Sequence, residues 1–320
     1  MIEIYNDFEL IGLAPVYSQF VWTRRFGRAG EFQLETHFTK ELFDILAEGN
    51  IIYKRDVDEA AIIEQRKVIQ TAQDELKMVV SGRHIESILS RRIFSFEGEI
   101  ELSELLVHII RGNFLAEAGE NRSMERDGLR FLGGSLPNTM ISAEYRNHNA
   151  YDAIVSLCEE HAVGLKMRYN IARRTFDLEF TRPTETDVVF SKMFANIMEQ
   201  NYMSDSSNMR NVVYIDNLFV HNDTTFRGIN RREMSISAPR EGQTHFAQSA
   251  LDALHENRKV QQLSSTVNPY SEQFIYLVDW DLGSIVLSNN VVLGVSRLET
   301  ITEIAEIYGE EGLSLVVNLG

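Results

Sequence analysis

Two carboxylates around an aromatic ring, Asp279 and Asp281 flanking Trp280, are the residues of this 320-residue chain that most resemble reactive groups. Sugar-cleaving enzymes use such a pair as acid and nucleophile or base. Here both acids belong to the run DWDLG, where Asp side chains shape a turn by accepting its own amides, and that is the preferred reading. The eight histidines are scattered, and neither HExxH nor CxxC spacing occurs, so no zinc site is indicated. His161 follows Glu159-Glu160 at a helix C-terminus, where an imidazolium meets the dipole. Gly133-Gly134-Ser135 has neither the nucleophile-elbow spacing nor a Walker lysine, and reads as a turn. The single Cys158 lies in the helical pattern YDAIVSLCEEHA and reads as a buried, inert thiol. No catalytic residue, cofactor or metal is assigned.

A second constellation joins bases to rings: Arg24, Arg25 and Arg28 beside Trp22 and Phe26. Single-strand nucleic-acid binders combine such groups, but this chain carries a net charge of −16, against the counterion-replacing surface that phosphate binding needs. Arginine and aromatic residues are also enriched at protein contacts. Trp22, Arg24, Arg25 and Arg28, with Trp280, are therefore the candidate interface residues.

The elements that must carry these residues are mostly strands. Ile2 to Tyr5 and Phe8 to Leu13 read as a hairpin about Asn6-Asp7; Ser18 to Arg25 and Glu31 to Phe38 flank the turn FGRAG. Thr39 caps a short helix ending at Gly49. Asn50 to Lys54, Ala60 to Val68 and Glu75 to Gly82 return to strand, the last two about a turn at Thr71 to Asp74, and His84 to Ile93 reads as helical. Ile100 to Phe114 and Asn149 to Ala162 are amphipathic helices, and Leu165 to Tyr169 pairs with Arg174 to Phe180. Arg182-Pro183-Thr184 reads as a linker. Beyond it come Val188 to Ser191, Ile197 to Tyr202, Met209 to Ile215, Leu218 to His221 and Arg227 to Ile236, then a helix within 243–263. A meander follows: Phe274 to Val278, Ser284 to Ser288, a hairpin turn at Asn289-Asn290, Val291 to Val295, and a long strand from Glu299 to Tyr308 whose apolar spacing leaves a helix as its rival. Leu313 to Leu319 is a last strand. The expected fold is mainly β with an α+β insert: residues 1–94 a β-barrel, 95–186 an α+β domain, and 187–320 a second β-barrel with a helical insertion.

Length favours two or three domains, and 44% hydrophobic with 24% charged residues is an ordinary globular balance. One cysteine leaves stability to packing, as in a reducing cytoplasm. No apolar run spans a bilayer, and MIEIYNDFEL carries acids where a secretory signal carries bases, so neither membrane anchor nor signal is expected.

Several stretches together resemble one family. IYNDFELIG, FVWTRRFGRAGEFQLETHF, GNIIYKR, EAAIIEQ and LKMVVSGRHIESILSRRIF are similar to the N-terminal half of the siphovirus Gp37-like tail proteins. FSKMFANIMEQNYMSDSSNMRNVVYI and YLVDWDLGSIV followed by LGVSRLETITEIAEIYGEEG echo its C-terminal half. The resemblance implies a non-enzymatic structural protein of a phage or prophage tail tip or baseplate hub. It implies two tube-like barrels flanking an α+β part, and a homotrimeric collar that caps the tail tube. The implied partners are rings of tail tube or distal tail protein, the tape measure protein, and receptor-binding or baseplate proteins. DNA is implied only as cargo passing an acidic lumen that repels phosphates. The implied location is the virion tail tip, after synthesis and assembly in the host cytoplasm. Longer relatives carry C-terminal peptidase, lysin or receptor-binding regions; this chain stops at Gly320, so such an activity is not expected. The competing expectations are a tail-associated wall hydrolase using Asp279 and Asp281, and a carbohydrate-binding module exposing Trp280 or Trp22.

Overall fold

Segments with alternating burial pair into a mainly β fold, seen in a computed structural model that describes residues 2–14, 17–70, 75–216, 219–222, 226–237 and 246–320. Two units are distinguished, Met1–Glu199 with Ser265–Gly320, and Gln200–Ser264.

The larger unit starts with a hairpin of β1 (Ile2–Asn6) and β2 (Glu9–Ala14). Its turn is Asp7-Phe8, one residue later than expected, and both residues take the positive φ of a primed two-residue turn. Next come β3 (Gln19–Arg25), β4 (Glu31–His37), α1 (Lys40–Ile45), β5 (Ile51–Lys54), β6 (Glu59–Gln70) and β7 (Leu76–His84). The Thr39 hydroxyl caps α1 by accepting the Leu42 amide at 3.1 Å. The turn expected at Thr71 to Asp74 lies outside the described residues. The helix expected over His84 to Ile93 is a 3-10 helix over Ile85–Arg91, and β8 (Ile93–Glu101) takes over its end because it pairs along a later strand.

The α+β part holds α2 (Leu102–Phe114), β9 (Leu129–Gly134), β10 (Met140–Asn149), α3 (Ala150–Glu160), β11 (Gly164–Asn170) and β12 (Thr175–Thr181). Sequence reading missed β8 and β9. Gly133-Gly134 closes β9 against β12, and a Cβ on Gly134 would lie 2.0 Å from the Phe180 carbonyl oxygen. Arg182-Pro183 is only a two-residue step into β13 (Thr184–Phe190).

β14 (Ile197–Asp205) leads into the smaller unit, with β15 (Val212–Ile215), β16 (Phe219–Asn222), β17 (Glu233–Ile236) and α4 (Phe246–Glu256). Its core packs Phe246, Ala250 and Ala253 of α4 on Val213 and Ile215. Only Glu233–Ile236 of the strand expected over Arg227 to Ile236 is extended, after a 3-10 turn at Gly228–Asn230. β18 (Val260–Val267) returns to the larger unit, followed by β19 (Ser284–Asn290), β20 (Val295–Gly309) and β21 (Gly312–Leu319). The meander is corrected in two places. Phe274 to Val278 is a turn with a single bridge from Tyr276 to Trp280, and Asn289-Asn290 remain in β19 while residues 291–294 turn, with Gly294 at φ 64°. β20 is a strand along its length, since β19 pairs with Val295 to Thr300 and β21 and β3 flank Glu303 to Tyr308.

That last pairing decides the architecture. The main sheet runs β14-β18-β21-β20-β3-β4-β7-β6-β5-β1-β2, with β19 joining β20 and β13 joining β19. The path is open, so the expected closed barrels are not found among the described residues. The physical reason is that β20 occupies the β3 edge, which the N-terminal strands would need in order to close on themselves. The curved N-terminal sheet buries Ile4, Phe20, Trp22, Leu34, Ile52, Ile63 and Val80 on its inner face. The other face of β1, β5 and β6 buries Tyr5, Ile51, Tyr53 and Ile62 against α2, α3 and β11, in a core that continues from Tyr5 to Phe180. Buried on both faces, these strands read as near-continuous apolar runs.

Candidate functional site

β3 alternates, and alternation sends Phe20, Trp22 and Arg24 to the buried face together. An arginine there must be paired, because an isolated buried charge is far costlier than a paired one. Its partner, Glu59, stands at the start of β6. Arg24 Nε donates to both Glu59 oxygens at 2.9 Å, and Nη2 donates to Oε1 at 2.6 Å. Nη1 turns the other way, donating to Asp281 Oδ1 at 2.5 Å and the Tyr276 hydroxyl at 3.0 Å. Tyr276 donates onward to Glu306 at 3.0 Å, and Glu306 also accepts from the Tyr308 hydroxyl at 2.5 Å and pairs with Lys54 Nζ at 2.8 Å. The Trp22 indole N–H points at Glu59 Oε2, 3.4 Å away. One chain of ion pairs and hydrogen bonds, buried at Arg24, Glu59, Lys54 and Glu306 and partly exposed at Asp281, thus ties β3, β5 and β6 to β20 and the turn before β19.

Electrostatics follow the geometry. Burial alone raises the Glu59 carboxyl, but the Arg24 guanidinium overrides it and holds the group down at about 2. Burial, reinforced by Arg24, brings the neighbouring His84 imidazole down to about 4 against the pull of Glu59, so it is neutral at pH 7. Burial pushes Glu86 up to about 8; one of its oxygens accepts the Met167 amide at 2.9 Å. His84 Nε2 and Glu86 Oε2 have no partner among the described residues.

The junction is wedged by Phe26, in the β3–β4 turn. Its ring occupies space that a Cβ would need at Gly164 (2.6 Å) and at Gly283 (2.3 Å). Backbone bonds complete the clamp: the Phe26 amide donates to Thr302 at 3.0 Å, and the Leu165 amide donates to Phe26 at 2.8 Å. Beside the wedge lies a cleft of 190 Å³ whose lining includes Arg24, Arg28, Lys166 and Arg182.

The residues singled out from sequence are therefore separated by burial. Trp22, Arg24 and Trp280 are buried within the chain and offer a partner no surface in this conformation. Trp280 donates to the Phe274 carbonyl at 2.8 Å and meets the Phe190 ring edge-on at 5.1 Å. Arg25 is partly exposed between Glu303 and Glu31, both at 2.6 Å. Arg28 is half-exposed, 3.5 Å from Glu159. Asp279 and Asp281 do not form a facing acid pair: Asp279 accepts the Ile275 amide at 2.6 Å, as a turn residue does, and Asp281 holds Arg24. Cys158 is buried, as expected. Sequence reading missed Lys54, Glu59, Tyr276 and Glu306. Alternation could not mark Lys54, Glu59 and Tyr276, because β5 and the start of β6 are buried at successive positions and Tyr276 lies in a turn.

Comparison with known proteins places this geometry. The family described as Siphovirus ReqiPepy6 Gp37-like protein matches residues 1–217. No curated protein matches the sequence. Among solved structures, the chain is similar to the 43 kDa tail protein of prophage MuSo2 from Shewanella oneidensis, with TM-score 0.64 and 12% identity over 100% of this chain and 97% of that one. It is also similar to a tail protein from Neisseria meningitidis, with TM-score 0.62 and 12% identity over 99% and 95% of the two chains. An Escherichia coli component of the type VI secretion system, described as structurally similar to the T4 bacteriophage tail proteins gp27 and gp5, gives TM-score 0.54 and 11% identity over 100% and 76%. The chain shares the fold of these tail proteins.

Proposed function

This chain belongs to the Siphovirus ReqiPepy6 Gp37-like family, and on that premise we propose that it is a structural, non-enzymatic component of a phage or prophage tail tip. The observation that carries the reading is end-to-end correspondence with a prophage tail protein, 100% of this chain on 97% of that one. The commitment of Asp279 and Asp281 to a turn and to Arg24 supports the non-enzymatic reading over the hydrolase, and burial of both tryptophans counts against sugar stacking.

In this reading the chain assembles as a homotrimeric hub, and the open sheets of three copies complete the tube-like barrels that one chain leaves unclosed. The collar docks on rings of tail tube or distal tail protein, next to the tape measure and receptor-binding or baseplate proteins. Three copies of a chain carrying −16 give a lumen past which DNA slides without adhering. Arg28 and Arg25, at the surface, are the proposed contact residues; Trp22, Arg24 and Trp280 act by holding the platform beneath them. Light scattering on the purified chain, alone and mixed with distal tail protein, tests this. A trimer, or a trimer formed with that partner, is the expected result; a monomer that stays monomeric in the mixture refutes it.

A further inference from the structure

The cleft beside Phe26 gathers cations from several strands, and its acids match only some of them. Arg24 is matched by Glu59 and Asp281, and Arg168 by Glu179 at 2.6 Å, but Lys166 and Arg182 make no ion pair among the described residues. The Lys166 ammonium faces Glu59 and Glu86 electrostatically, favouring both carboxylates slightly, but forms an ion pair with neither, and burial still holds Glu86 up at about 8. Two of the buried polar atoms without partners, His84 Nε2 and Glu86 Oε2, belong to residues that line the same cleft. Arg28 stands half-exposed among the lining side chains, and Phe26, Leu165 and Leu282 give the cleft apolar wall.

We infer that this cleft binds an acidic segment of a partner polypeptide, seating a glutamate or aspartate carboxylate between Lys166 and Arg182. Carboxylate fits better than phosphate for two reasons. Glu179 and Asp281 also line the cleft, so a more highly charged anion meets more repulsion. The apolar wall takes the methylene stem that an acidic side chain has and a phosphate lacks. These unpaired cations sit together on a chain of net charge −16, so they offer an incoming acidic segment a local attraction against the repulsion of the chain as a whole. The inference goes beyond the tail reading and stands without it.

The test is fluorescence anisotropy of a labelled hexaglutamate peptide with the full chain at low salt. Binding is expected to weaken by about tenfold or more in Lys166→Gln/Arg182→Gln, to weaken partly in Arg182→Gln alone, and to be unchanged in Arg126→Gln, an exposed arginine outside the cleft. Raising the salt is expected to weaken it as well. Equal binding by wild type and the double variant, or no binding by wild type, overturns the site. Tighter binding of tripolyphosphate than of hexaglutamate overturns the carboxylate assignment.

Discussion

Replacing Arg24 by methionine removes every strong partner of the buried Glu59 carboxylate. What remains near it is the Trp22 indole at 3.4 Å, a neutral His84 nitrogen at 3.9 Å and, beyond ion-pair distance, the Lys166 ammonium. Breaking a buried pair from one side costs about 3–5 kcal/mol, because the other charge is left without compensation. The carboxyl gives a second route to the magnitude. Holding it at about 2 instead of its usual 4.5 corresponds to about 3 kcal/mol. Because the folded value is lowered, that contribution is present above pH 4.5 and fades as the pH falls toward 2. In Arg24→Met burial outweighs the weaker pull of Lys166, the carboxyl rises above 4.5, and stability falls as the pH climbs through that new value. The assay is urea unfolding followed by tryptophan fluorescence at pH 4 and pH 7, both indoles being buried. Adding Glu59→Gln removes the stranded charge and is expected to recover at least about half of the loss. A loss under about 1 kcal/mol, the range of exposed pairs, or a double variant no more stable than Arg24→Met, refutes the reasoning.

Three further outcomes follow from the same junction and core. Glu86 is raised to about 8, so the folded chain holds a proton that the unfolded chain releases above 4.5, and wild-type stability falls between those values. Glu86→Gln is expected to flatten that fall, with a gain of up to about 5 kcal/mol at pH 8 and little at pH 4, read by urea unfolding. Gly283→Ala places a Cβ 2.3 Å from the Phe26 ring at φ 84°, and is expected to cost about 2 kcal/mol or more by the same measurement. Burial pushes the Cys158 thiol up to about 12, so a disulfide reagent is expected to leave the native chain unlabelled and to label one thiol in urea.

The sequence by itself determined what is local. Side-chain alternation marked most strands, the Thr39 cap marked α1, and 3-4 spacing of apolar residues marked α2, α3 and α4. Ordered short motifs pointed to the family that matches residues 1–217. β8, β9 and β18 were hidden because each runs into a helix, a glycine pair or a polar stretch whose local preference competes, and partner strands outweigh that preference. Tertiary structure decided which edge meets which. β3 lies beside β20, 278 residues away at the Arg25–Glu303 pair, and no local pattern distinguishes that edge from any other. The same choice turned Arg24 inward onto Glu59 and Asp281, and left Lys166 and Arg182 facing a shared cleft. A charged residue in a strand reads alike whether it faces water or a buried counter-charge, since its partner is supplied only when distant segments pack.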